Sequence, residues 1–141
     1  MNKLKLQTQP TPVSCQHTCA AMVIGIPVGA LFDPEELDEC ATDSEIAKVM
    51  MNHGIYAATN YGSSFLYGNL YLCKVPSLNI EMGFHAVLVD ARDKDNVYLL
   101  DPNQGREGKK YYTTEDINKM SFSADLRIHY QDDSNFRIGP V

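Results

Sequence analysis

The feature that most constrains the fold is a change of pattern at Gly54. Before it lie helix start signals. Asp33-Pro34-Glu35-Glu36 puts a capping aspartate, a proline at the first helical position and a glutamate reaching back. Thr42-Asp43-Ser44-Glu45 repeats the capping box ahead of Ile46, Val49 and Met50. The first signal predicts a short helix to about Cys40; the second predicts one that stops at Gly54, with His53 in its last turn. After Gly54 the chain reads as strands rich in β-branched and aromatic residues: 55–59, 70–75, 85–89, 97–100 and 126–130. Residues 62–64 read as a loop. A short helix capped by Thr113 or Thr114 runs to about Met120. Helices first and strands after predict an α+β domain with an antiparallel sheet, because alternating βαβ units are missing.

A chain of 141 residues, 44% hydrophobic, fits one domain over 1–141, with the polar stretch 131–141 as a loose tail. The net charge of -6 and scattered lysines and arginines argue against nucleic acid as a partner. No apolar run reaches the roughly 18 residues a membrane span needs. The first ten residues lack a signal-peptide core, so the expected location is the cytoplasm, where the four cysteines stay free thiols. A specialised secretion route would leave no such mark.

Residues 7–13 cannot be helical, since Pro10 and Pro12 hold their predecessors extended. Apolar positions then recur at 15, 19, 22, 23 and 26, a helical period, with Ser14 placed to cap and Gly25 and Pro27 to close. This sets Cys15 at a helix N-terminus, where unpaired N–H groups and the macrodipole favour a thiolate and could hold an oxyanion. Cys19, Cys40 and Cys73 read as ordinary buried cysteines. His17 with Cys15 and Cys19 would be the basis of a metal site, but no paired CxxC exists, and neither metal nor cofactor is expected.

Of the four histidines, His17 points away from Cys15, and His53 has a helix-end explanation. His129 sits in a late strand with no acidic partner. His85 has one. If strands 85–89 and 97–101 form a hairpin with Val89 opposite Val97 and Val87 opposite Leu99, His85 stands opposite Asp101 on one face. A nucleophile, a base and an orienting carboxylate would then be Cys15, His85 and Asp101. His85 as a strand-end histidine and Asp101-Pro102 as a turn are the ordinary explanations of the same residues.

Gln9, Cys15 with Cys19-Ala-Ala-Met22, His85-Ala-Val-Leu-Val89 and Asp101-Pro102 together resemble the papain-like peptidases that process double-glycine leader peptides of bacteriocins. The likeness spans roughly residues 7–112. It implies a papain-like fold, a peptide or protein substrate, and an oxyanion donor in the side chain of Gln9, six residues before Cys15. Gln7 is the competing glutamine. Gln16 stands where that family usually has glycine, which bears on double-glycine specificity. The rival readings are a deamidase, transglutaminase or ubiquitin-like-tail hydrolase using the same residues, and a peptide-binding module without turnover.

Overall fold

The computed structural model describes residues 3–59, 67–118 and, as a backbone strand, 123–129. The expected loop at 62–64 and tail at 131–141 lie outside these. The helices come first: α1 (Cys15–Ile24), α2 (Val28–Leu31), α3 (Pro34–Leu37) and α4 (Asp43–Asn52). Strands β1 (Tyr56–Ala58), β2 (Asn69–Pro76), β3 (Phe84–Ala91) and β4 (Tyr98–Leu100) follow, then a 3-10 turn (Thr114–Asn118) and β5 (Ser123–His129). The protein is thus α+β, with a five-stranded antiparallel sheet in the order β1-β5-β2-β3-β4. The last strand enters between the first two. Among the described residues no helix is long and apolar enough to cross a membrane.

Both capping boxes form. Glu36 accepts the Asp33 N–H at 2.9 Å, and Thr42 and Glu45 exchange bonds at 3.2 Å each. Behind the second box, Ile46 and Met50 are fully buried one turn apart and pack α4 against α1 and β1. Helix α3 stops at Leu37 rather than Cys40, and α2 begins directly after Pro27, where the sequence offered only a stop. The segment after Thr113 is a 3-10 turn, not an α-helix.

The sheet separates two apolar clusters, and strand alternation assigns residues to them. Leu70, Leu72, Ala86 and Leu88 face the helices together with Cys19, Met22, Ile46 and Met50. Tyr71, Cys73, Val75, Val87 and Val89 face the other way, beside Leu99 of β4, and pack with Tyr112. A strand covered on both faces needs apolar residues at consecutive positions, which is why Leu70–Cys73 shows little alternation. Helix α1 is likewise buried on nearly every side from His17 to Val23, not on the single stripe its period suggested. Small Ala20 and Ala21, both at 0% exposure, let neighbours approach closely.

Candidate active site

Cys15 is the first residue of α1. Ser14 stands at the N-cap but does not cap with its side chain; its hydroxyl exchanges 3.1 Å bonds with the Thr11 N–H and carbonyl. The proline-stiffened approach therefore closes on itself, and the first-turn N–H groups of α1 are left for other acceptors. The Cys15 sulfur meets the His85 ring and the backbone N–H groups of Ala86 and Gln16. Burial pushes its thiol up, but the bond from His85, then the charge of that ring and the two N–H groups, outweigh burial and lower the pKa.

His85 is the second residue of β3 and is 7% exposed. Its Nε2 lies 2.6 Å from Asp101 Oδ1. With Nε2 so engaged, Nδ1 is the nitrogen left to face the sulfur. Burial pulls the ring down, yet the hydrogen bonds to Asp101 and to Cys15 overcome it and push the pKa up to about 9. Asp101 is 1% exposed and accepts two further bonds, from the Asn103 N–H at 2.8 Å and the Tyr112 N–H at 2.7 Å. Three donors hold a buried carboxylate ready for the ring.

The hairpin register differs from the expected one. Leu88 pairs with Leu100, Val89 with Leu99 and Asp90 with Tyr98, two residues from the register that would set His85 directly opposite Asp101. The cause is that β3 runs on through Asp90 and Ala91. The buried Arg92 guanidinium binds the Asp90 carboxylate at 2.7 and 2.9 Å there, so the chain turns later. A shift of two preserves the face, because side chains alternate with period two. His85 and Asp101 consequently meet as diagonal neighbours.

Gln9 is held in the same frame. Its N–H donates to the Pro102 carbonyl at 2.8 Å, and the Thr8 hydroxyl donates to the Gln104 carbonyl at 2.7 Å. Gly105 makes this docking possible: it sits at φ +98°, and a Cβ there would stand 2.5 Å from Thr8 Oγ1. The Gln9 side chain is buried, not solvated; Nε2 donates to the Thr11 carbonyl at 2.8 Å and Oε1 has no partner. The structure thus brings Cys15, His85 and Asp101 together by side chain, and ties Gln9 to the Asp101 turn by backbone. Gln7 does something else. Its amide bridges the Ile26 carbonyl (2.9 Å) and the Val28 N–H (2.8 Å), tying the N-terminal segment to the turn that leads into α2. Gln16 is half-buried, with a buried Oε1 lacking a partner; its backbone N–H, not its side chain, reaches the sulfur.

Sequence reasoning missed the groups behind Asp101. Asn103 is buried, with Nδ2 3.4 Å from His85 Nε2 and Oδ1 accepting from Arg106 Nη1 at 2.9 Å. Its N–H bond to Asp101 is an Asx turn, which Asp-Pro-Asn signals. The Tyr112 N–H, eleven residues on, had no such signal. His53 Nδ1 lies 3.0 Å from the Val49 carbonyl, a helix-end role as expected. All four cysteines are free, but Cys40 is exposed, because α3 ends before it and leaves it on the surface. Among the described residues no three His, Cys, Asp or Glu side chains are placed to hold a metal ion.

No protein-family model matches the chain, and no curated protein does. Among solved structures it is similar to a double glycine motif protease from an AMS/PCAT transporter, in complex with the leader peptide, at 16% identity over 89% of each chain with a TM-score of 0.47.

Proposed function

We propose that this chain is a papain-like cysteine peptidase in which Cys15, His85 and Asp101 form the catalytic triad. The observation that carries the reading is the unbroken side-chain sequence from sulfur to imidazole to a buried, triply bonded carboxylate. Such an arrangement stores the nucleophile as thiolate and the acid as imidazolium. The Cys15 thiolate attacks the scissile carbonyl carbon, and its π electrons move to the oxygen. That oxyanion is met by the Cys15 N–H at the α1 terminus and by the second Nε2 hydrogen of Gln9. As the tetrahedral intermediate collapses, His85 Nδ1 gives its proton to the departing amine, leaving a thioester. Water, deprotonated by the now neutral His85, attacks the thioester and releases the acid. Asp101 keeps the proton on Nε2 throughout, so that Nδ1 is the atom that exchanges protons.

An extended peptide carrying an electrophile at its scissile position tests this. Mass spectrometry should find the adduct on Cys15 and none in Cys15→Ala; labelling spread over Cys19, Cys40 and Cys73 would refute the assignment. Product analysis then fixes the acyl acceptor: hydrolysis of a peptide bond yields a new α-amine, whereas deamidation yields ammonia.

A further inference from the structure

Behind the ring of His85 a donor is held against a donor. Asn103 is 6% exposed, and its Nδ2 stands 3.4 Å from His85 Nε2. That ring nitrogen lies 2.6 Å from Asp101 Oδ1 and carries the proton of that bond. An amide NH2 cannot accept it, and among the described residues Nδ2 has no other partner. A buried donor without an acceptor is unfavourable. Turned over, the same amide would place Oδ1 on Nε2–H as a second acceptor, and the conflict would be gone.

Arg106 prevents that turn. Its Nη1 donates to Asn103 Oδ1 at 2.9 Å, and a guanidinium offers donors only, so the oxygen is the atom it must face. The two residues share one backbone turn, in which the Arg106 N–H donates to the Asn103 carbonyl at 3.1 Å. The arrangement bears on acid–base chemistry. Burial opposes the charged ring, while Asp101 first and Cys15 second favour it. These two are the titratable groups that act on the ring, and Cys19 and Tyr112 are coupled to Asp101 in turn. An N–H dipole aimed at Nε2 acts against the charged form. It limits how tightly the imidazolium holds its protons, and an acid that holds them too tightly protonates a leaving amine slowly.

We infer, on the reading of Cys15, His85 and Asp101 as a triad, that Asn103 is a positioning residue for His85, its amide locked by Arg106 so that N–H and not C=O faces the ring. Arg106 acts through Asn103, and together they keep the ring a competent acid.

Histidine-selective NMR on the full chain tests this without requiring turnover. Cys15→Ala serves as the parent, so that the ring titrates without the thiol, and the His85 signal is assigned by its loss in Cys15→Ala/His85→Gln. Arg106→Met removes the donor; the amide then turns, and the His85 titration should rise by about 0.5–1 pH unit. Part of that rise comes from the lost charge. A cycle with Asn103→Ala separates it, because that variant has no amide to turn but keeps the backbone N–H on Asp101. With Asn103→Ala in place, Arg106→Met should raise the titration less than half as far. Equal rises with and without the amide, no rise, or a fall in Arg106→Met would overturn the lock. With Cys15 present, kcat in Arg106→Met should fall and its alkaline limb should move up. A limb that stays in place while the titration moves would refute the peptidase reading and leave the amide lock standing.

Discussion

Burial opposes both charges of the Cys15–His85 pair; the thiolate survives chiefly through His85, and the imidazolium through Asp101 first and Cys15 second. The consequence is a pH window. Below its lowered pKa the Cys15 thiol protonates, and above about 9 His85 loses the proton that the leaving amine needs. Peptidase activity is therefore predicted to fall above about pH 9, and iodoacetamide should alkylate Cys15 at pH 6 far faster than Cys19. Cys19 is fully buried and its pKa is pushed well up by that burial. A Cys15 alkylation rate that rises only at the pH of an ordinary thiol would contradict the pair. The glutamines make a second residue-scale test. Gln9→Ala should lower kcat about 10²–10³-fold with little change in KM, the effect of losing one oxyanion donor. Gln7→Ala removes the tie between the N-terminal segment and the turn that leads into α2, so it should lower the unfolding free energy by about 1–2 kcal/mol and leave kcat near wild type. Steady-state kinetics and urea unfolding on both variants decide it; a kcat loss in Gln7→Ala alone would reverse the assignment.

At the scale of elements, the candidate site depends on a turn docked against an extended segment. Gly105 admits Thr8 only because it has no Cβ, and its φ of +98° is strained for any other residue. Gly105→Ala is expected to cost about 1–3 kcal/mol and to lower kcat, since Gln9 and Asp101 hang from the same contact. Thr8→Ala in the same chain removes the atom at 2.5 Å but not the unfavourable φ, so it should restore part of the stability. A double-mutant cycle with no coupling would mean the two residues do not touch. That contact left no mark in the sequence, whereas local signals were legible. Both capping boxes, the stop at Gly54 and the helix start at Cys15 rest on residues within four positions of one another. The docking of Thr8 on Gly105, the Tyr112 N–H bond to Asp101 and the placement of β5 rest on distant contacts, and no local pattern encodes them. His85 and Asp101 were nevertheless paired from sequence, because a register error of two leaves side chains on the correct face, whereas an error of one would have separated them.

Across the whole molecule, the three candidate triad residues arrive from separate parts: Cys15 from the helical side, His85 from the sheet, and Asp101 from the segment after β4 that packs through Tyr112 with the second cluster. Assembling the site therefore requires the complete fold, and its proton equilibria are linked to global stability. The folded His85 ring titrates at about 9 against an ordinary 6.5. A raised pKa means that the folded state binds the proton more tightly than the unfolded chain does. The resulting stabilisation is complete below about pH 6.5 and is lost as pH rises through about 9. Cys15, with its lowered pKa, contributes in the opposite sense, since its share is lost as pH falls, so the two must be separated. Cys15→Ala does this and leaves Asp101 as the partner that raises the ring, which draws in the upper edge of the window. Urea unfolding of Cys15→Ala against Cys15→Ala/His85→Gln should show a stability gap at pH 6 that shrinks by about 1–2 kcal/mol by pH 9.5. A gap that stays constant or widens with pH would mean that the ring is neutral in the folded protein, and that the Asp101 carboxylate orients the imidazole without holding its charge.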